Sequence, residues 1–153
     1  MRLGSEERGM ARSAFDRGVV AVIQARLSSV RFPEKVLQDL DGLPLVEFMV
    51  QRVRQSRLID EIVLAVPEQD LRSPLFEIAA RQSISIVGGP SDDVLGRFAK
   101  VVRGRPQEIV VRLTADCPLV DPAVIDALIE QFAQSGLDYI RTGLTYPDGL
   151  DVE

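Results

Sequence analysis

The sequence predicts an α/β domain with a mainly parallel sheet and helices packed on it. Short apolar runs rich in β-branched residues recur along the chain, which is typical of strands buried on both faces. Stretches with apolar residues at helical spacing separate these runs. This regular alternation favours parallel pairing through right-handed crossovers. The 153 residues suit one domain of this kind.

Five strands are expected in chain order. Each is a short segment dominated by valine, isoleucine or leucine, and the last is the weakest because a charged residue interrupts it. The expected strands cover residues 19–23, 61–66, 83–87, 109–113 and 137–140.

Four helices are expected between and after these strands. Ser91 and Asp92 are suitable N-caps for the third helix. The fourth has Asp121 as its N-cap, Pro122 at its first position and Gly136 at its end. The expected helices cover residues 45–53, 75–79, 94–102 and 122–134.

Two segments differ in composition. Residues 1–18 are charged and lack the apolar region of a secretory signal, so we expect a disordered N-terminal extension. Residues 19–153 form the α/β domain. Because the sequence stops after 149–153 without a closing helix, we expect this domain to be the N-terminal part of a longer one.

Composition excludes several classes of function. The formal net charge of −5 argues against non-specific nucleic-acid binding, and no apolar run approaches the roughly 20 residues that membrane insertion needs. The chain has no histidine and a single cysteine, Cys117. Histidine-dependent nucleophilic catalysis, histidine metal sites and an internal disulfide are therefore excluded within this chain, and a reducing cytoplasm fits.

The segment from Gln24 to Lys35, here called the basic loop, follows the first expected strand. It carries three cations, two serine hydroxyls and an amide, although the chain as a whole is acidic. Guanidinium, ammonium and hydroxyl groups are donors suited to phosphate, and open α/β sheets bind ligands beyond the carboxyl ends of their strands. The loop lacks the glycine-rich patterns of known phosphate-binding loops. It therefore indicates an anion site, with a solvated basic connection as the alternative.

Asp116 follows the strand expected at 109–113, so topology should bring it beside the basic loop. A carboxylate there suits Mg²⁺, although capping of a turn or of the next helix is the alternative. Arg112 needs a partner within an otherwise buried strand, and either Asp116 or a bound nucleotide would serve. Cys117 is expected to be a packing residue rather than a nucleophile. Arg97 is expected to face ligand or solvent.

Several segments resemble one family. I-Q-A-R-L-S-S-V-R-F-P-E-K-V-L is similar to the signature Q-A-R-x-x-S-x-R-x-P-G-K-x-L of the acylneuraminate and KDO cytidylyltransferases. S-D-D-V-L-G-R-F, V-V-R-L-T-A-D-C-P-L-V-D-P and Y-P-D-G-L-D-V-E extend the resemblance to nearly everything after Val19. The branch it resembles most is the spore coat polysaccharide biosynthesis protein F type. One departure is Glu34, which stands where the signature has glycine.

The resemblance implies a Rossmann-like three-layer αβα fold of the nucleotide-diphospho-sugar transferase type. It also implies transfer of CMP from CTP to a sugar acid or related sugar, with Mg²⁺ as cofactor, in surface or spore-coat polysaccharide biosynthesis; a homodimer is left open. Arg26, Lys35 and Asp116 are the expected catalytic residues, with Asp116 on the metal. The expected nucleotide-binding residues are Gln24, Ala25, Arg26, Ser29, Arg31, Lys35 and Arg112.

Two alternatives remain at this point. Glu34 could repel a triphosphate or pair with Arg31 or Lys35, which favours an inactive or truncated nucleotide-binding domain of the same fold. Nothing in the sequence reads the base, so a nucleotidyltransferase that uses another triphosphate is the second alternative.

Overall fold

The structure is a computed structural model that describes residues 18–29, 32–105, 109–143, 146–147 and 149–153. Of the extension expected over residues 1–18, all but Gly18 lies outside the described residues. The strands are β1 Val19–Gln24, β2 Asp39–Leu40, β3 Leu43–Pro44, β4 Glu61–Pro67, β5 Ser85–Gly89 and β6 Ile109–Thr114. The helices are α1 Leu45–Val53, α2 Pro74–Arg81, α3 Val94–Val102 and α4 Pro122–Ser135, with 3₁₀ helices at Lys35–Leu37 and Glu68–Arg72.

Four strands form a parallel sheet in the order β5-β4-β1-β6. The central strand β1 pairs with β4 on one side and with β6 on the other, so that Val22 lies between Val63 and Arg112. Such strands are buried on both faces, which is why they appear in the sequence as nearly continuous apolar runs. The short strands β2 and β3 form a separate antiparallel hairpin. The predicted parallel α/β fold is confirmed.

Helices cover both faces of the sheet. Ala21 and Ile23 pack in the larger apolar cluster, which includes residues of α1, α2 and α4. Val20 and Val22 pack in the smaller one, with Val101 of α3. Right-handed crossovers explain the division, because the chain moves outward from β1 to β4 and β5, then reverses to reach β6. The reversal puts α3 on the opposite face, which gives the three expected layers.

The helix ends follow capping chemistry. Asp121 accepts a hydrogen bond from the backbone N–H of Ala123 at 2.8 Å, Pro122 occupies the first position, and Gly136 ends α4 with a φ of 66°. These features were predicted. The predicted caps of α3, Ser91 and Asp92, are wrong: Asp93 accepts from the N–H of Gly96 at 2.7 Å. No helix in the described ranges has both the length and the apolar character needed to cross a bilayer.

Two of the predicted strands also need correction. The third large strand begins at Ser85 rather than at 83, because Ser83 has a φ of 51° and belongs to the turn after α2. The strand expected at 137–140 is wrong, since these residues have no strand structure. Leu137 and Tyr139 are exposed, so their side chains do not pack in the core as those of a buried strand would. Instead, the backbone N–H and C=O of Glu153 bond to those of Arg112 on the outer edge of β6.

Candidate functional site

A cavity lies where the carboxyl ends of β1 and β6 meet. The chain first adds β4 and β5 on one side of β1 and then crosses over to add β6 on the other side, so the order of strand addition reverses between β1 and β6. Ligands of open α/β sheets bind at such a switch point. The cavity measures about 240 Å³. It is lined by Gln24, Ala25, Arg26, Ser29, Lys35, Val36, Thr114, Ala115 and Asp116.

Most of the predicted site residues therefore come together. The lining includes all three expected catalytic residues and five of the seven expected nucleotide-binding residues. Arg31 lies outside the described residues. Arg112 does not line the cavity.

Backbone hydrogen bonds hold the start of the basic loop against the sheet. The N–H of Ala25 donates to the carbonyl of Ala65 at 3.1 Å, and the N–H of Ala115 donates to the carbonyl of Gln24 at 2.9 Å. Asp70 adds a side-chain anchor, because its Oδ2 accepts from the N–H of Leu27 at 3.0 Å. Asp70 was not singled out in the sequence. Its partner lies 43 residues away, so no local pattern marks it.

Lys35 and Asp116 form an ion pair across the cavity. The Nζ of Lys35 lies 2.6 Å from Oδ2 of Asp116. Partial burial raises the pKa of Asp116, but hydrogen bonds from Lys35 and Thr114 lower it more, so the pKa lies below its ordinary value. The carboxylate is therefore anionic at neutral pH. Its side chain is 47% exposed, which leaves it accessible to a ligand.

Arg112 pairs with a residue other than the expected Asp116. Its guanidinium pairs with the carboxylate of Glu153 rather than with Asp116, and it lies over the ring of Phe98 at 5.9 Å from the centroid. The reason is the alternation of the strand, which directs Arg112 to the face covered by α3, while Glu153 pairs along the same edge. Arg112 therefore stands apart from the cavity.

Glu34 adopts a left-handed backbone conformation, with φ 54° and ψ 22°. It sits at the tight turn before the 3₁₀ helix at Lys35–Leu37, where its N–H donates to the carbonyl of Leu27 and its carbonyl accepts from Leu37. This conformation is sterically unfavourable for a residue that has a Cβ atom, whereas glycine adopts it without strain. The geometry explains physically why a glycine is favoured at this position of the signature.

Cys117 has the properties of a packing residue. It is buried, and its Sγ lies 3.5 Å from the hydroxyl of Thr114 and 3.6 Å from a carboxylate oxygen of Asp151. Burial raises the pKa of the thiol, and the nearby negative charges of Asp116 and Asp151 raise it further. A thiol in such surroundings is a poor nucleophile at neutral pH.

The cavity suits a cation that is shared with a ligand. Within the described ranges, no three acidic or cysteine side chains gather as a complete metal site. Mg²⁺ needs only one or two carboxylates when substrate phosphates supply further oxygens. Asp116 meets this need, and the ammonium of Lys35 already occupies a cation position against it.

Comparisons with known proteins agree with this geometry. A family model described as cytidylyltransferase matches residues 20–146. The chain is 34% identical over 125 residues to the spore coat polysaccharide biosynthesis protein SpsF of Bacillus subtilis, covering 79% of this chain and 52% of SpsF. It is 36% identical over 131 residues to the 3-deoxy-manno-octulosonate cytidylyltransferase of Chlorobaculum parvum, covering 84% and 51%.

Solved structures share the fold. A cytidylyltransferase from Leptospira borgpetersenii superposes with a TM-score of 0.81 at 27% identity, over 88% of this chain and 58% of that one. A CMP:2-keto-3-deoxy-manno-octonic acid synthetase in complex with CTP gives a TM-score of 0.68 at 22% identity, over 78% and 49%. The chain spans about half the length of the curated relatives it matches. Since the family model covers most of its residues, the chain belongs to the cytidylyltransferase family of nucleotidyltransferases.

Proposed function

We propose that this chain binds CTP and Mg²⁺ in the cavity between β1 and β6, and that it forms the nucleotide-binding part of an enzyme that transfers CMP to a sugar acid or related sugar. The observation that carries the proposal is the convergence of Arg26, Ser29 and Lys35 on Asp116 at the switch point of the sheet. Cations and hydroxyls face a carboxylate there, which is the arrangement that a metal-bound triphosphate needs.

The basic loop would hold the phosphates. Arg26 is exposed at the cavity and presents a planar fork of donors, while Lys35 offers a compact charge and Ser29 a hydroxyl. Arg31, which lies outside the described residues, is expected to join them. Together these groups would neutralise much of the charge of a triphosphate.

Asp116 would hold the metal ion. Mg²⁺ bound there would offset charge on the phosphate oxygens and on the departing pyrophosphate. A metal ion and the ammonium of Lys35 cannot both occupy the same side of one carboxylate. We therefore expect Lys35 to leave Asp116 for the phosphates when the nucleotide binds.

The proposed reaction is attack of an acceptor hydroxyl on the α-phosphorus. The new bond joins the hydroxyl oxygen to phosphorus, the bond to the bridging oxygen breaks, pyrophosphate leaves and the hydroxyl proton passes to solvent. The protein would contribute positioning and fixed charge. This division of labour fits a chain without histidine.

The relatives suggest the substrates. Their printed names include 3-deoxy-manno-octulosonate cytidylyltransferase and a spore coat polysaccharide biosynthesis protein, and one structural relative holds CTP. On this basis we propose CTP as the nucleotide, a sugar acid or related sugar as the acceptor, and surface or spore-coat polysaccharide biosynthesis as the setting.

The test measures binding and turnover separately. CTP affinity is determined by calorimetry with Mg²⁺, and pyrophosphate release is followed with CTP and a panel of sugar acids. Asp116→Asn, which keeps the size of the side chain, is expected to abolish the Mg²⁺ dependence of CTP binding. If wild-type protein shows no Mg²⁺-dependent affinity for CTP, the proposal is wrong.

A second candidate is a nucleotide-binding domain without turnover. The strained Glu34, where the family signature has glycine, favours it because it puts a carboxylate next to Lys35 in the chain. CTP binding without pyrophosphate release would support this candidate. Thermal shifts with CTP, UTP, ATP and GTP would show whether another triphosphate is preferred.

A further inference from the structure

One arginine is buried near the cavity without a hydrogen-bond partner. Arg97 lies in the first turn of α3 and is 1% exposed. Its Nε and both terminal nitrogens are buried and donate to no acceptor within the described part of the chain. An unpaired buried charge is among the costliest features of a protein interior and calls for an explanation. Of the two surroundings expected for Arg97, ligand or solvent, its burial contradicts solvent.

Close packing keeps the side chain of Arg97 in this place. A Cβ added to Gly89, at the end of β5, would collide with the Cγ of Arg97 and approach its Cα to 3.2 Å. Only glycine therefore allows α3 to approach the end of β5 this closely. The arginine is held at the carboxyl edge of the sheet, which is the edge that carries the cavity.

The charges around Arg97 leave it in need of an anion. Burial lowers its pKa, and the positive charge of Arg26 lowers it further, while Asp70 and Asp93 act in the opposite direction. Both aspartates already accept backbone hydrogen bonds, from Leu27 and from Gly96. Arg26 and Arg97 are thus two like charges, one of them buried, and a bound anion would relieve their repulsion.

A buried acceptor lies on the same face of the sheet. By the alternation of β1, Gln24 shares the α3 face with Val20 and Val22. Its Oε1 is also buried without a hydrogen-bond partner within the described ranges, although Gln24 lines the cavity. Within the part of the chain that the structure describes, the buried nitrogens of Arg97 are therefore donors without an acceptor, and the buried Oε1 of Gln24 is an acceptor without a donor, on the face of the sheet that α3 covers.

We propose that Arg97 is a further nucleotide-binding residue, which together with Arg26 donates hydrogen bonds to oxygen atoms of the bound nucleotide. The inference rests on the proposed function and extends the site to a side chain that the cavity lining does not include. Since Arg97 is buried in the free protein, contact requires the side chains around it to move when the nucleotide enters. The cost of the unpaired charge in the free state is recovered on binding.

Arg97→Met separates this role from a structural one. Methionine fills a similar length without charge, so we expect CTP affinity to fall at least tenfold, while the melting temperature stays the same or rises. Calorimetry and thermal unfolding measure the two effects. An arginine that only supported the fold would lower the melting temperature when replaced.

Arg52 is the matched control. It is half-buried, and its Nε donates to the carbonyl of Val120 at 2.9 Å, away from the residues that line the cavity. Arg52→Met should lower the melting temperature and leave CTP affinity unchanged. The two variants should therefore show opposite patterns.

Two further ligands show whether Arg97 contacts the phosphates or the nucleoside of CTP. If Arg97→Met weakens the binding of inorganic tripolyphosphate as much as the binding of CTP, the contact is to phosphate. If it weakens the binding of cytidine instead, the contact is to the nucleoside. Either result supports the inference.

Unchanged affinity of Arg97→Met for all three ligands would overturn the inference, while the proposed function would stand if wild-type protein still bound CTP. Absence of CTP binding by wild-type protein would instead refute the proposed function. If Arg97→Met fails to fold, NMR spectra of ¹⁵N-arginine-labelled wild-type protein provide the test. The Nε–H signal of Arg97 is assigned by its loss in Arg97→Lys. This signal must shift when CTP is added. An unshifted signal would also overturn the inference.

Discussion

Lys35 and Asp116 are 81 residues apart in the chain, yet their charged atoms lie 2.6 Å apart. At the scale of single residues, this pair shows how the free site balances its charges. Both side chains are partly exposed, so the pair adds at most about 1 kcal/mol to stability. Its importance lies in holding an ammonium and a carboxylate where a triphosphate and a metal ion would meet.

Lys35→Ala is expected to reduce CTP affinity at least tenfold and to leave the free energy of unfolding within about 1 kcal/mol of the wild-type value. The loss follows from removing a charge-assisted contact to phosphate. Calorimetry and urea unfolding provide the two measurements. Lys100→Ala is the control, since Lys100 is the only other lysine and pairs with Glu68 on the surface. Equal affinities of the two variants would contradict the prediction.

Glu34→Gly is expected to raise stability by up to about 1 kcal/mol, because glycine adopts the left-handed conformation without steric cost. We also expect a severalfold gain in CTP affinity, since a carboxylate within the basic loop is removed. Urea unfolding and calorimetry test both effects.

Two variants separate strain from charge at this position. Glu34→Gln keeps the strain and removes the charge, so it should improve affinity alone. Asp41→Gly relieves a similar φ of 56° in the β2–β3 turn and should improve stability alone. If Glu34→Gly lowered stability, the interpretation of a strained turn would be wrong.

At the scale of elements, α1 and α2 are joined by a buried carboxylate. Glu47 of α1 is 5% exposed and accepts hydrogen bonds from Arg81, at 2.6 Å, and from Gln82, at 2.9 Å. Burial of an acid is tolerated only because these donors satisfy it. The pKa of Glu47 therefore lies below its ordinary value of 4.5, mainly because of the hydrogen bond from Arg81.

The lowered pKa of Glu47 predicts a pH-dependent effect of Glu47→Gln. Stabilisation by the carboxylate is complete above the ordinary value of 4.5 and is lost as the pH falls through the lowered pKa of the folded state. Glu47→Gln should therefore cost about 1 kcal/mol at pH 7 and less as the solution is acidified below 4.5. Urea unfolding at a series of pH values measures the difference. A difference that grew on acidification would show that the sign is wrong.

At the scale of the whole molecule, residues near the end of the chain complete the core beside β6. Val152 is 1% exposed and packs in the larger apolar cluster, while Glu153 pairs with the backbone and the side chain of Arg112. The N–H of Thr142 also donates to the carbonyl of Val152 at 3.0 Å. These contacts join segments that are far apart in the sequence.

Val152→Ala is expected to cost about 2 kcal/mol, through lost burial and the cavity that remains. Leu137→Ala should change stability by less than about 0.5 kcal/mol, because Leu137 is 58% exposed and lies in the segment wrongly expected to be a strand. Urea unfolding of both variants tests the contrast. Equal costs would mean that 137–140 is packed after all.

Much of the fold could be predicted because it depends on local patterns. Continuous apolar runs marked β1, β4 and β6, and a cap, a proline and a glycine marked the ends of α4. The position of the basic loop after β1 also followed from the sequence, because parallel strands place their ligand sites at one edge. Buried positions repeat with the period of a strand or a helix, so each element can be predicted from a stretch of about a dozen residues.

The tertiary structure decided which distant groups meet. The pairing of Lys35 with Asp116, of Arg112 with Glu153 and of Asp70 with Leu27 spans 41 to 81 residues in each case. The burial of Arg97 likewise depends on how α3 packs against the end of β5. No local pattern contains such information, because the order of the strands and the packing of helices on the sheet select the partners. The basic loop was therefore recognisable from the sequence, whereas the burial of Arg97 was not.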